Sequence, residues 1–228
     1  MFQCGSHSVR THDLLKIDAR RFLSAHAFVP EWAEQSLRRV PFVVVRRGLC
    51  TERNIPIGVR GVERNQRWAA LCPSKGVKRV ITPSQLLGRE VTEARANAVP
   101  ALRSLELLKA RWMKLDHAWG PGGSVGFEIA TGTPAAKQKS DLDVVIHAER
   151  RMTIEEAMFL CESAKGLPAV VDIRVETPFC GFALQEYAHQ ALAPILLRTL
   201  SGFMLGSDPW DDSGLPDTVC DAASSRTI

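Results

Sequence analysis

The sequence predicts an α+β protein in two parts. A small basic unit over residues 10–90 precedes a larger domain over 100–205, and an acidic tail of 206–228 follows. Two strand patterns and the helix between them carry this reading. Asp141 to Ala148 alternates, with Leu142, Val144, Ile146 and Ala148 on one side and Asp141, Asp143, Val145 and His147 on the other. Ala169 to Val175 alternates likewise, with Asp172 and Arg174 opposite an apolar face. Between them Thr153 and Glu156 form a capping-box pattern, and Ile154, Ala157, Met158, Cys161 and Ala164 line one helical face before Gly166.

In chain order, residues 32–39 read as a short helix after Pro30. Phe42 to Val45 is β-rich and stops at Arg46-Arg47-Gly48. Ile55 to Val62 holds Pro56, Gly58 and Gly61, which predicts a broken or edge strand. Thr82-Pro83-Ser84 marks a helix start. From Pro100, the residues Leu102, Leu105, Leu108, Trp112, Leu115 and Trp119 keep near a 3.6 period, predicting one helix that ends before Gly120. Val125 to Ile129 reads as the start of a strand, with a polar loop from Thr131 to Ser140. A last helix is expected from Ala183 to about Leu200, bent at Pro194.

Composition excludes several classes. The chain has 228 residues, 45% hydrophobic, enough for a real core. A net charge of +4 and a single tyrosine argue against a nucleic-acid binder that stacks bases. Six cysteines without a C-x-x-C pair argue against a zinc site or a disulfide framework, and fit a reduced cytoplasmic protein. Apolar runs are too short for a membrane span, and Met1 to Arg10 lacks a signal-peptide core. The acidic tail shows no hydrophobic period, so it is expected to be flexible.

The chemistry gathers around Gly123-Ser124 and Ser140-Asp141-Leu142-Asp143. A Gly-Ser bend can offer backbone N–H groups to phosphate. Asp141 and Asp143 share one strand face and offer two hard oxygen ligands, which suit Mg²⁺ bridging to substrate phosphates. Asp172 joins them if the two strands are neighbours, and three converging carboxylates call for a cation. The blander reading is an Asp-x-Asp on a solvated strand edge. Lys137 and Lys139 can touch phosphate or sit in a solvated loop. Arg46, Arg47, Arg60, Arg64 and Arg67 form either a basic wall for substrate or partner or a dispersed solubilising surface. Arg198 either reaches the site or balances a helix dipole. His147 either assists proton transfer or is a partly buried strand-end histidine, while His117 and the five tryptophans read as packing or surface residues.

Gly123-Ser124, Asp141-x-Asp143 and Asp172 resemble the nucleotidyltransferase superfamily of the polymerase-beta type. A longer resemblance, over about residues 10–210, is to the phosphoribosyl-dephospho-CoA transferase of malonate decarboxylase, its holo-acyl-carrier-protein synthase. It is carried by Gly123 to Gly132 with Ser140 to Asp143, by His12-Asp13-Leu14-Leu15, by Val44 to Arg47, by Ile55 to Gly61, and by Glu176-Thr177-Pro178 with Gly181 to Leu184. Leu196 to Thr199 and Asp208-Pro209-Trp210 agree as well.

The resemblance implies a polymerase-beta-like nucleotidyltransferase domain, a mixed sheet with flanking helices, preceded by a small α+β domain. It implies transfer of phosphoribosyl-dephospho-CoA from 2′-(5″-triphosphoribosyl)-3′-dephospho-CoA to a serine of the apo acyl carrier subunit, with loss of pyrophosphate. Asp141 and Asp143 would hold Mg²⁺, and Gly123, Ser124 and Ser140, with Lys137 and Lys139, would meet the phosphates. Asp172 would complete a second metal site or accept the serine proton; a carboxylate beside Mg²⁺ is a poor base, which favours the first role. A nucleotidyltransferase for another acceptor (a small molecule, a protein or an RNA end) shares the same motif core. A non-catalytic nucleotide-binding module would be expected to lack the acids.

Overall fold

The computed structural model describes residues 2–4, 7–63, 65–190 and 194–213. A short hairpin, β1 (Phe2–Cys4) and β2 (His7–Val9), precedes β3 (Leu14–Ile17), α1 (Ala19–Ser24) and α2 (Glu31–Arg39). Then come β4 (Phe42–Val45), β5 (Asn54–Arg60), β6 (Arg67–Pro73), β7 (Val77–Ile81) and α3 (Pro83–Leu86). Strands β3 to β7 make an antiparallel sheet in the order β6-β5-β4-β3-β7. Ile55, Ile57 and Val59 point from β5 into a core with Phe22, Leu37, Val43 and Val45. β5 is an interior strand rather than the expected edge. Pro56 is tolerated there because its carbonyl still accepts from the Arg46 N–H.

The second part holds α4 (Glu93–Ala98), α5 (Pro100–Arg111), β8 (Ala118–Pro121), α6 (Gly123–Thr131), β9 (Leu142–His147) and α7 (Ile154–Ser163). It ends with β10 (Val171–Glu176), β11 (Gly181–Ala183), α8 (Leu184–Ala188), β12 (Ile195–Arg198) and β13 (Phe203–Gly206). Its sheet runs β13-β12-β11-β10-β9-β8. β9 and β10 are parallel and the other pairs antiparallel, so the sheet is mixed. The molecule is thus a mixed α+β protein with two main sheets and, among the described residues, eight α-helices. None of these helices is long and apolar enough to cross a membrane.

Three local expectations change. The helix from Pro100 stops at Arg111, and Trp119 belongs to β8. Trp119 kept the helical period only because it packs edge-on against Trp112, at 4.9 Å, in the same core. Val125 to Ile129 is helix, since Gly122 donates to the Asp143 carbonyl, closes the β8–β9 ladder and lets α6 begin. The β-branched side chains are overridden by that tertiary contact. The expected helix from Ala183 to Leu200 becomes α8 and the β12–β13 hairpin, turned at Gly202 with Thr199 N–H on the Gly202 carbonyl at 2.7 Å. Capping boxes are present at Thr82/Gln85 and Thr153/Glu156.

The expected tail does not leave the fold at 206. The Trp210 indole donates to the Ala148 carbonyl at 3.0 Å and meets Phe182 and Tyr187, and Thr177 Oγ1 donates to the Pro209 carbonyl. Residues 214–228 of that expectation lie outside the described residues.

The two sheets meet through a third apolar cluster. Leu14 and Ile81, with Phe42 and Val44, pack on Leu86 of α3 and on Phe127, Ile129 and Ala130 of α6. The helix that starts at Gly123 is therefore clamped between the two parts.

Candidate active site

Parallel pairing of β9 with β10 sets Asp172 directly beside Asp143. Register partners in a parallel ladder project to one face, so the two carboxyls share a surface. Asp141, one step before β9, acts on Asp143 electrostatically, as Asp172 does. Burial first, and then the Asp141 charge, push the Asp143 pKa above the ordinary carboxylate value, with Asp172 adding to the rise. Arg60 and His12 from the N-terminal part oppose it.

Gly123 opens α6 against these acids. Its φ is +53°, and a Cβ there would overlap Asp143 Oδ2. Only glycine meets both demands. Gly123 and Ser124 occupy the first turn of α6, whose N–H groups lack intrahelical partners.

Ser140 is committed to its own loop, where its Oγ accepts from the Lys137 N–H at 2.9 Å. Lys137 and Lys139 are exposed in that turn. Among the described residues, no group of three His, Cys, Asp or Glu side chains is already drawn together as a metal cage. Asp172 Oδ2 is held by Arg174 at 2.8 Å.

Of the arginines, Arg60 pairs with Arg67 in the β5–β6 ladder, and Arg46 packs against Gly58 of the same sheet face. That face also carries Val44 and Leu14, the residues that meet α6. Arg198 lies on β12, not at a helix end, and feels the charges of Arg174, Glu176, Asp172 and Glu186. Burial first, and then Arg174, pull its pKa down. Arg64 lies outside the described residues.

Residues 10–83 match the family model for the N-terminal domain of phosphoribosyl-dephospho-CoA transferase MdcG, and residues 86–209 match that for its C-terminal domain. The chain belongs to the phosphoribosyl-dephospho-CoA transferase family. A phosphoribosyl-dephospho-CoA transferase of Azotobacter vinelandii is 37% identical over 200 residues, covering 87% of this chain and 93% of that relative. One from Pseudomonas aeruginosa is 35% identical over 199 residues, covering 87% and 92%. One from Klebsiella pneumoniae is 33% identical over 207 residues, covering 90% and 98%. No solved structure matches. The protein is accordingly a transferase enzyme.

In this transferase, the sequence did not show which residues brace the site. Glu128 of α6 receives both Arg95 nitrogens, at 2.8 and 3.0 Å, and the N–H groups of Ala135 and Ala136. It fixes the loop that delivers Asp141. Burial works to raise its pKa, but Arg95 and the two N–H groups outweigh burial and hold it low.

Glu176 closes the seam between the two parts. It ion-pairs with Arg47 and meets His12 Nε2 at 2.9 Å. Arg47 also donates to the Phe179 carbonyl at 3.3 Å, so this expected substrate contact is committed to the seam. His12 has φ +74°, the one left-handed non-glycine among the described residues, and Asp13 caps that turn by accepting the Arg10 N–H. His147, level with Glu176, donates Nε2–H to the Thr11 carbonyl, and burial drops its pKa to about 4. It is a neutral structural histidine.

Proposed function

We propose that the enzyme transfers phosphoribosyl-dephospho-CoA from 2′-(5″-triphosphoribosyl)-3′-dephospho-CoA to a serine hydroxyl of the apo acyl carrier subunit of malonate decarboxylase. The serine O–P bond forms as the bond to pyrophosphate breaks; pyrophosphate leaves and the hydroxyl proton is released to solvent. The observation that carries this reading is the juxtaposition of Asp143 and Asp172 in parallel register beside the glycine that opens α6. A strand, a glycine turn, a helix and two acid-bearing parallel strands also suit a nucleotidyltransferase-type domain.

Asp141 and Asp143 fit Mg²⁺, which commonly takes one or two carboxylates and fills its other positions from phosphates and water. Burial first, and then the Asp141 charge, disfavour the ionised Asp143, and a cation relieves both. Mg²⁺ bound there would neutralise charge on the triphosphate and on the leaving pyrophosphate. Asp172 would join through the oxygen that Arg174 does not bond, as a second metal ligand rather than the base, because a carboxylate beside Mg²⁺ is a poor base. The Gly123 and Ser124 N–H groups hold the terminal phosphates, and Lys137 and Lys139 lie on the loop just before the acids. Arg46 and Arg60 line the neighbouring wall and attract the polyphosphate. Buried Val145 and Val144 exclude water behind Asp143. We propose a cytoplasmic setting, which six cysteines without a C-x-x-C pair fit.

The test is mass spectrometry of the apo carrier after incubation with the enzyme, Mg²⁺ and the triphosphoribosyl donor. A gain equal to phosphoribosyl-dephospho-CoA is expected. An unmodified carrier, or an AMP-sized gain when NTPs replace the donor, would refute the assignment.

A further inference from the structure

The sheet face that carries the acids is only half covered. Pairing register places Asp143, Asp172, Arg174 and Glu176 on that face, and continues it through Arg198 to Leu196, Phe203 and Leu205. Over β8 and β9 the face is closed. The Pro83 backbone lies against Gly120, α6 begins over Asp143, and the N-terminal part seals His147 and Glu176. Over β12 and β13 it is open, with Phe203 73%, Leu205 65% and Leu196 39% exposed. The reverse side of β12, Ile195 and Leu197, is buried in the core. The terminal hairpin is therefore apolar on both sides, although an edge hairpin packed on one face normally turns polar residues outward.

We propose that this open face is where the protein acceptor docks; the proposal rests on the reading that a protein serine receives the group. The serine must reach a phosphorus beside Asp141 and Asp143. β12 lies three strand spacings from β9, about 14 Å at roughly 4.8 Å per spacing. A protein approaching the acids from the uncovered side must therefore lie across β12 and β13. Arg174 lies beside Asp172 on β10 and Arg198 pairs in register with Phe203, so cations border the apolar trio and the matching surface presents apolar side chains flanked by carboxylates. Three exposed side chains fall well short of the ~800 Å² per partner that a stable interface buries. A small patch suits a substrate that leaves after each turnover better than a permanent second copy.

The test uses the full chain with Phe203→Asp and Leu205→Asp, Phe203→Lys as the charge counterpart, and Phe159→Asp on α7 as control. Steady-state transfer should show at least a tenfold rise in KM for the apo carrier with either aspartate and a smaller rise with lysine. The kcat at saturating carrier and the Kd for the donor should stay unchanged, and Phe159→Asp should match wild type. Wild-type KM values in the Phe203 and Leu205 variants would overturn the docking face and leave the transfer reading intact. Failure of the wild-type enzyme to label the carrier would remove the transfer reading, and the docking face with it. A wild-type dimer that Phe203→Asp dissociates in sedimentation, with the carrier KM unchanged, would assign the face to a second copy and overturn the proposal.

Discussion

Glu176 at the end of β10 holds Arg47 of the N-terminal part by an ion pair, and His12 Nε2 shares the same carboxylate. Glu176 is 8% exposed. Burial alone would raise its pKa, but His12 and Arg47 outweigh burial and keep it low. Arg47→Met leaves this carboxylate buried with one partner, which should cost about 3–5 kcal/mol. Arg47→Met combined with Glu176→Met should recover most of the loss, because two apolar groups need no partner. Urea unfolding of the wild type and the two variants checks this. A single-variant cost below about 1 kcal/mol, the ordinary surface-pair value, would show that the pair does not hold the seam.

Asp143 shows the opposite balance. Its burial and the nearby Asp141 and Asp172 charges disfavour its ionised form in the protein without bound ligand. Asp143→Asn should therefore raise stability, by about 1 kcal/mol, while cutting single-turnover transfer by on the order of a hundredfold or more. Asp141→Asn should lose activity similarly. Full activity in either variant would end the assignment of these carboxylates to the reacting phosphates.

The acid pair was legible because strand alternation is strict. Leu142, Val144 and Ile146 could face only a core, so Asp143 had to face the other way, and Asp172 followed from the same logic on β10. Parallel pairing of the two strands follows from the helix between them. The capping boxes were legible because they are local. What failed was non-local. Trp119 kept a helical period although it lies in a strand, because the core that receives Trp112 also receives Trp119. Val125 and Ile129 have strand propensity, but the space under α3 and the N-terminal sheet admits a helix. Arg47 read as a substrate or partner contact or a solubilising surface arginine, since its partner lies 129 positions away. Glu128 could have been suspected only as a carboxylate inside an otherwise apolar segment.

Gly123 meets two demands at once, a φ of +53° and contact with Asp143 Oδ2. Gly123→Ala pays for the left-handed backbone, about 1 kcal/mol, and must also displace the carboxylate. Stability should fall by roughly 1–3 kcal/mol, and transfer should fall with it because Asp143 moves. Gly132 has a similar φ, +71°, but a Cβ there meets nothing. Gly132→Ala should show the backbone cost alone and keep its activity. Equal activity loss in both variants would mean that the close approach of Gly123 to Asp143 has no part in transfer.

Two buried groups should give opposing pH dependences. Burial raises the Asp13 pKa from 3.8 to about 6 against the pull of Arg10 and His12. Between those values the folded protein holds a proton that the unfolded chain releases, so this contribution is present below about pH 4 and is lost as pH rises through about 6. His147 does the reverse. Burial drops it from 6.5 to about 4, so the unfolded chain takes up a proton that the folded protein refuses, and stability is lost as pH falls through that window. Each change corresponds to about 3 kcal/mol. Asp13→Asn should therefore make the protein lose more stability than wild type between pH 7 and pH 4.5. His147→Asn should make it lose less, whatever its overall cost. Urea unfolding at the two pH values reads both slopes, and curves parallel to wild type would show that neither group changes its proton on unfolding.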